Sequence, residues 1–401
     1  MLVQDKLPFP FNFVNRMATT ANRLGIRLPR LTAEDIQTRA QKQTGLTDFG
    51  DPFYVEGLSV LMESARTDKV NALGRIIVDN MAMQYAVNRL QWVEMQKRQP
   101  SAFETPLQPP LIILGLPRSG TTVLHRMMAA DPAHQAIPLW RLIKPFPPLD
   151  GGKDNRYDEV AKQMEQTNRL RPELKSKHLI TPDEPEECMT IQGMSFYSPV
   201  FYASVPVYHY LEWYINSDRQ KMHEEYASML RWYQAADPRR LVLKSPSHTP
   251  ELDHLLAVIP NALIVQTHRD PVKVVNSMNS LFHTNHSNLM RRYAPEKIAT
   301  TNLNLLQQFT EMNLALRAKH NPNICDVDFG DLVTDPIGIA QKIYAHFGLA
   351  WTDVFEEKLR GYMNNNPQHK HGKHRYSAAD FNLTDDEIRA RFRPYIERFG
   401  V

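Results

Sequence analysis

The chain has 401 residues, of which 42% are hydrophobic and 23% charged, a composition typical of globular proteins with one large or two smaller domains. The formal net charge is only +3, so composition favours no nucleic-acid partner, and an anionic ligand has to be bound by local sites. The two cysteines, Cys188 and Cys325, lie far apart in the sequence. This spacing argues against a disulfide framework and a cysteine-based zinc site, and favours a reducing, cytoplasmic compartment.

The sequence predicts neither a signal peptide nor a membrane span. Residues 1–10 lack a basic stretch followed by a long apolar run. No segment offers about 18 consecutive apolar residues, the length that a transmembrane helix needs. The oligomeric state stays open, and a homo-oligomer is compatible with the sequence.

Residues 1–105 are predicted to form a helical N-terminal extension, with a capping signal at Thr32 and helical spacing over 69–97. The proline-bearing run from 100 to 110 is predicted to be a connector. In the second unit, 106–401, short apolar runs at 111–115, 241–243 and 262–267 alternate with helical segments. This alternation predicts an α/β fold with a central, mainly parallel sheet flanked by helices.

Two longer regions have less regular patterns. Residues 138–190 are rich in proline and charge, which predicts a long excursion on the ligand side of the sheet, helical near 155–170. Eight aromatic residues fall within 195–214. They either line a pocket for an apolar acceptor or belong to the core. A polar loop over 364–375 and a final capped helix over 383–399 are predicted near the C-terminus.

The segment from Leu111 to Thr122 predicts a buried strand, a tight glycine-containing turn and a helix start. Such a turn aims backbone N–H groups and a helix N-terminus at an anion, most often a phosphate. Gly115 and Gly120 have the spacing of a P-loop, but Thr121 stands where a P-loop has its lysine. The cation is instead Arg118, within the loop. A single 5′-phosphate therefore suits this loop better than a β/γ-phosphate pair, which argues against a P-loop kinase.

Cations follow the other two predicted strands at the sheet edge where α/β proteins bind ligands. Lys244 follows the 241–243 run, and His248 is placed to accept a proton from an attacking hydroxyl. The alternative for this pair is a surface lysine and a helix-capping histidine. Arg269 follows the 262–267 run, and Ser277 lies on the next helix, where both can reach one phosphate. The alternative for Arg269 is an ion pair with a carboxylate.

The run from Thr181 to Cys188 places four carboxylates within five residues. Crowded carboxylates raise one another's pKa, which suits proton transfer, and Glu184 and Glu187 are the candidates. The alternative is a solvated helix N-terminus whose acids complement the helix dipole.

Over roughly 110–280 the chain resembles the sulfotransferases that use 3′-phosphoadenosine 5′-phosphosulfate (PAPS). The sequence Leu-Pro-Arg-Ser-Gly-Thr-Thr at 116–122 is similar to their 5′-phosphosulfate loop, and His-Arg-Asp-Pro-Val-Lys-Val-Val-Asn-Ser at 268–277 is similar to their 3′-phosphate motif. The resemblance implies a three-layer, P-loop-like fold and transfer of a sulfonate group to a hydroxyl of a small molecule. It implies no catalytic metal, since fixed cations take the place of magnesium.

The resemblance also implies roles for individual residues. Arg118 would stabilise the leaving oxygen, with Lys244 acting on the transferring group. The residues that match the family's phosphate contacts are, for the 5′-phosphate, Ser119, Gly120, Thr121 and Thr122, and, for the 3′-phosphate, Arg269 and Ser277. The basic C-terminal run resembles a loop that closes over the 3′-phosphate, with Lys373 and Arg375 as the contacts.

The base is less well defined than the donor site. The cytosolic branch of the family has a Lys-Thr-His motif, whereas here Lys244 is followed by Ser-Pro-Ser before His248. The protein-tyrosine branch has a glutamate soon after the first helix, and 137–141 contains no acid here. His248, Glu184 and Glu187 therefore remain candidates. The alternatives to a sulfotransferase are a P-loop small-molecule kinase and a nucleotide-binding protein without catalysis. A hydroxylated lipid, steroid, phenol or polyketide-like alcohol is the expected acceptor.

Overall fold

A five-stranded, all-parallel sheet organises the protein in a computed structural model that describes residues 29–170, 181–320, 322–366 and 377–401. The strands are β1 (Leu111–Gly115), β2 (His134–Ala136), β3 (Arg240–Lys244), β4 (Leu263–His268) and β5 (Ile324–Asp328). Their spatial order is β2-β3-β1-β4-β5. β1 pairs with β3 on one side and with β4 on the other. The loop at 116–122, called the glycine loop below, therefore follows the central strand.

Helices surround this sheet in the described parts of the chain. The N-terminal set is α1 (Ala33–Thr44), α2 (Tyr54–Thr67), α3 (Ala72–Arg98) and α4 (Pro100–Glu104). The helices between β1 and β4 are α5 (Thr121–Ala129), α6 (Leu139–Ile143), α7 (Arg156–Leu170), α8 (Met189–Gln192), α9 (Val200–Ser204), α10 (Tyr208–Asn216), α11 (Gln220–Ala236) and α12 (Leu252–Val258). The remainder are α13 (Pro271–His286), α14 (Pro295–His320), α15 (Phe329–Thr334), α16 (Pro336–Phe347), α17 (Asp353–Asn365), α18 (Asp385–Arg391) and α19 (Arg393–Phe399).

The two faces of the sheet support two hydrophobic cores. Leu111 and Ile113 of β1 belong to the smaller core, which includes residues of α5, α16 and α17. Ile112 and Leu114 belong to the larger core, which takes in the N-terminal helices, α11, α13 and α14. Because alternate strand residues point to opposite faces, β1 is buried on both sides, and its sequence is a continuous apolar run. The predicted α/β fold, a central parallel sheet flanked by helices, is confirmed.

The N-terminal extension is helical over its described part, and Thr32 caps α1 by accepting a hydrogen bond from the Asp35 N–H. Its apolar side chains share the larger core with the sheet. The larger core contains residues from both sides of position 105. A domain boundary at residue 105 therefore remains a prediction from the sequence. None of the described helices combines the length and apolar character needed to cross a bilayer.

Several local predictions needed correction. The run after residue 100 is not entirely a connector, since Pro100 starts the short helix α4. The final helix is two helices, since α18 ends at Arg391 and α19 begins at Arg393 with a proline in its first turn. The strands β2 and β5 were not predicted.

Candidate active site

The parallel sheet brings the three motif segments to one edge. The loop at 116–122 follows β1, Lys244 ends β3, and Arg269 follows β4. Since β1 lies between β3 and β4, the loop occupies the middle position with a cation on either side. The carboxyl edge of a parallel sheet is where α/β proteins bind ligands.

The glycine loop has an unusual backbone that glycine makes feasible at two positions. Gly115, Arg118 and Gly120 have φ values of 137°, 68° and 94°. A Cβ on Gly115 would lie 2.5 Å from both the carbonyl oxygen and the hydroxyl of Thr267. Arg118 is the non-glycine exception, in a left-handed conformation that costs about 1–3 kcal/mol and that the surrounding contacts have to maintain.

Hydroxyl groups beneath the loop maintain this shape. The fully buried Ser119 Oγ donates to the Leu116 carbonyl at 2.5 Å and lies 2.6 Å from the Thr267 Oγ1. The Thr249 hydroxyl accepts from the Gly115 N–H and donates to the Gly115 carbonyl, both at 3.0 Å. Neither threonine was predicted from the sequence to contact the loop, although Thr267 directly precedes the His-Arg-Asp motif. The hydroxyl of Ser119 thus closes the loop itself, while α5 begins at Thr121 and directs its first N–H groups toward the loop.

Arg118, Arg269 and Ser277 lie together. Arg118 Nε donates to Ser277 Oγ at 3.0 Å, and Arg269 Nη1 donates to the Arg118 carbonyl at 2.6 Å. The Arg269 guanidinium also stacks over the ring of Phe329, with its Cζ 3.9 Å from the ring centroid. Two guanidinium groups and a hydroxyl therefore form one cationic patch between the loop and α13.

Lys244 lies beside the acidic segment. Its fully buried ammonium donates to Glu187 Oε1 at 2.8 Å and lies 3.9 Å from Glu186 Oε2. Burial alone would lower the pKa of Lys244, but the two carboxylates outweigh it, and the pKa lies above its ordinary value. The Cys188 N–H donates to the Lys244 carbonyl at 3.0 Å, which holds the acidic segment across the end of β3. The lysine is thus charged and held in place.

The other two base candidates have different surroundings. Glu184 accepts a 2.8 Å hydrogen bond from Arg126 on α5. His248 is completely buried, its Nε2 lies 3.3 Å from Cys188 Sγ, and burial lowers its pKa to about 3. Its ring packs near Tyr226, with centroids 5.3 Å apart. A group that must take a proton from an acceptor has to be reachable, so this position does not favour His248.

His268 connects the sheet to the C-terminal helices. Its Nε2 lies 2.8 Å from Asp326 Oδ1, its Nδ1 lies 3.1 Å from the Tyr395 hydroxyl, and its ring stacks on Phe399. Arg317 donates to the same Asp326 carboxylate at 2.7 and 2.8 Å. The histidine of the His-Arg-Asp motif therefore supports the fold directly behind Arg269.

This cluster predicts an acid-dependent contribution to stability. Burial would raise the pKa of Asp326, but the hydrogen bonds from His268 and Arg317 lower it to about 2. A depressed carboxyl pKa stabilises the fold above the unfolded-state value, near pH 4, and the contribution disappears as the pH falls toward 2. We expect Asp326→Asn to unfold at lower urea concentration than the unmodified protein at pH 7, with the difference shrinking between pH 4 and 2. A difference that stays constant over this range would contradict the assignment.

The aromatic residues of 195–214 belong mainly to the core. Seven of the eight are buried, namely Phe196, Tyr197, Phe201, Tyr202, Tyr208, Tyr210 and Tyr214. The core alternative is thus the one that the structure favours. Lys373 and Arg375 lie outside the described residues, so their contact with a 3′-phosphate stays a prediction.

The chain is similar to known sulfotransferases in sequence and in structure. It is 24% identical over 311 residues to the omega-hydroxy-beta-dihydromenaquinone-9 sulfotransferase Stf3 of Mycobacterium bovis and of Mycobacterium tuberculosis, covering 73% of this chain and 75% of each relative. The crystal structure of sulfotransferase STF1 from Mycobacterium tuberculosis superposes with a TM-score of 0.80 and 29% identity, over 90% of this chain and 98% of that one. Sulfotransferase STF9 from Mycobacterium avium shares the fold, with a TM-score of 0.85, 23% identity and coverage of 94% and 98%.

The matching region coincides with the sheet and the site. The profile of the sulfotransferase family matches residues 109–353, which contain all five strands, the glycine loop, Lys244 and the Arg269 motif. This match extends over more than half of the chain, and the fold of its structural relatives is the same P-loop-like sheet. The chain therefore belongs to the sulfotransferase family.

Proposed function

We propose that this protein transfers the sulfonate group of PAPS to a hydroxyl group of a small lipid-like acceptor. The observation that carries the proposal is the contact between the two anion-binding elements, in which Arg118 joins Ser277 and Arg269 joins the Arg118 carbonyl. A donor with both a 5′- and a 3′-phosphate needs two such elements side by side. A nucleoside triphosphate does not use the second one.

The residues at the sheet edge fit the charges of this donor. The N-terminus of α5 and the N–H groups of the loop would bind the 5′-phosphate, because this end of a helix attracts anions. Arg269 and Ser277 would bind the 3′-phosphate, with Phe329 holding the guanidinium plane. The exposed Arg118 would contact either the 5′- or the 3′-phosphate when the donor binds.

Charge stabilisation and positioning would then provide most of the catalysis, as in phosphoryl transfer. The acceptor oxygen forms a bond to sulfur while the bond from sulfur to the 5′-phosphate oxygen breaks. Lys244 would stabilise the negative charge on the sulfonyl and leaving oxygens. Adenosine 3′,5′-bisphosphate (PAP) is the leaving group.

Glu187 is the residue that we propose takes the acceptor proton. Its side chain is 23% exposed, so an incoming hydroxyl can reach it, and its Oε1 already lies 2.8 Å from Lys244 Nζ. Glu184 is engaged by Arg126, and His248 is buried. Proton acceptance by Glu187 would also change the charge balance around Lys244 as the bond to sulfur forms.

The acceptor class rests on the relatives rather than on a pocket. The Stf3 proteins are named for sulfation of an omega-hydroxylated dihydromenaquinone, which is a lipid with a terminal alcohol. A hydroxylated lipid therefore comes first among the acceptors to test, followed by steroids, phenols and polyketide-like alcohols.

Thermal unfolding in the presence of nucleotides tests the donor. PAP without magnesium is expected to raise the melting temperature, and ATP with magnesium is expected to leave it unchanged. Stabilisation by ATP with magnesium alone would indicate a kinase.

Arg269→Ala should weaken PAP binding by about 10–100-fold, since a charge-assisted hydrogen bond contributes about 1.5–3 kcal/mol. Its affinity for adenosine 5′-monophosphate should stay nearly unchanged.

A matched surface variant and a transfer assay complete this experiment. Arg360→Ala removes an exposed arginine from an ion pair within α17 and should bind PAP normally. Transfer of labelled sulfonate from PAPS to the acceptor panel separates an enzyme from a binding protein. PAP binding with no transfer to any acceptor of the panel would favour the binding protein.

A further inference from the structure

Three buried residues that the proposed reaction does not use converge behind Lys244. His223 lies on α11, His248 in the 3₁₀ turn after β3, and Glu251 directly before α12. All three side chains are at most 1% exposed. One ligand-type atom from each lies within 4.8 Å of the others. Two imidazoles and one carboxylate so close together are a donor set that divalent transition metals use.

Each of the three residues has one polar atom occupied and one without a hydrogen bond. His223 Nδ1 lies 3.0 Å from the Arg219 carbonyl, and His248 Nε2 lies 3.3 Å from Cys188 Sγ. Glu251 Oε1 pairs with Arg219 Nε at 2.9 Å and accepts a hydrogen bond from Tyr214. The remaining atoms, His223 Nε2, His248 Nδ1 and Glu251 Oε2, are buried and have no hydrogen-bond partner among the described residues.

The free atoms of His223 and Glu251 face each other without a proton between them. In the neutral imidazole of His223, the Arg219 carbonyl requires the proton on Nδ1, which leaves a lone pair on Nε2. That lone pair faces Glu251 Oε2 at 3.4 Å, an acceptor against an acceptor. A metal ion between them would satisfy both.

We propose that His223, His248 and Glu251 bind a single divalent transition-metal ion, with zinc as the reference metal, in a structural site. Water would complete the coordination. The Arg219 carbonyl orients the His223 ring and the Arg219 side chain holds the other carboxylate oxygen, as the outer partners of metal ligands do. The ion would connect α11 to the segment that follows Lys244.

Metal content and cobalt absorption of the full chain, prepared without an affinity tag, test the proposal. After incubation with Zn²⁺ and gel filtration, we expect an equimolar amount of zinc and a higher melting temperature than in chelator-treated protein. Co²⁺ should give visible absorption bands of a low-symmetry, histidine-ligated site. His223→Ala and Glu251→Gln should lose the zinc and the bands.

The basic C-terminal run offers the matched control, because it contains three histidines within six residues. The triple variant of His369, His371 and His374 to alanine should keep the zinc and the cobalt bands. Loss of metal in that variant, with retention in His223→Ala, would overturn the proposal. Absence of bound metal and of any thermal shift in the unmodified protein would also overturn it and would indicate a bound water or a protonated Glu251. The metal content of the unmodified protein tests the proposal even where His223→Ala and Glu251→Gln fail to fold.

Discussion

Lys244→Met is expected to lower the rate of sulfonate transfer by about 10²–10³-fold, the usual effect of removing one preorganised charge from a transition state. PAP affinity should change little, because in the proposed site the phosphate contacts come from the loop and from Arg269. The Lys244 ammonium is buried at the end of β3, where we propose that it contacts the transferring group. Steady-state kinetics with PAPS, together with PAP binding, separate the two effects.

Stability has to be measured alongside, since removing Lys244 leaves Glu187 and Glu186 facing each other. Breaking such a pair costs up to about 3–5 kcal/mol when it is fully buried, and less here because Glu187 is partly exposed. The double variant Lys244→Met/Glu187→Gln should recover part of the stability and none of the activity. Lys342→Ala, which removes an exposed lysine bonded to the Asp326 carbonyl, is the control and should be fully active. Normal turnover by Lys244→Met would rule out the catalytic role.

Gly115→Ala is expected to reduce the free energy of unfolding by about 3–5 kcal/mol, among the larger effects of single substitutions. At φ 137° an alanine is strained by about 1–3 kcal/mol. In addition, its Cβ would lie 2.5 Å from the Thr267 carbonyl oxygen, a backbone atom of the paired strand β4 that cannot turn away. Urea denaturation at pH 7 measures the loss, and PAP binding should weaken with it because the loop begins here.

Gly361→Ala is the matched control for this prediction. Gly361 lies within α17, and a Cβ there would meet nothing within 4 Å. Alanine is favoured over glycine in a helix by about 0.5–1 kcal/mol, so this variant should be slightly more stable. If Gly115→Ala were as stable as Gly361→Ala, the close packing of β1 against Thr267 would be wrong.

Local sequence predicted the parts of the fold whose pattern reflects burial. The continuous apolar run of β1 predicted a buried strand, and Leu124, Met127 and Met128 have the helical spacing of the face that α5 buries. Asp270 caps α13, which has a proline at its first position, and both are local signals for a helix start. In contrast, β2 has the sequence His-Gln-Ala and β5 alternates apolar residues with aspartates, so neither has the apolar run of a central strand.

By itself, the sequence determined the family, the strand–loop–helix segment at 111–129 and the cations that follow neighbouring strands, because these depend on residues close together in the chain. The tertiary structure decided which charges meet. Lys244 and Glu187 are 57 residues apart, and their contact depends on how the acidic segment crosses the end of β3. The tertiary structure also decided that His248 is buried beside His223 and Glu251. Burial, and the lowered pKa of His248 that follows from it, depend on segments distant in the sequence that pack around this residue.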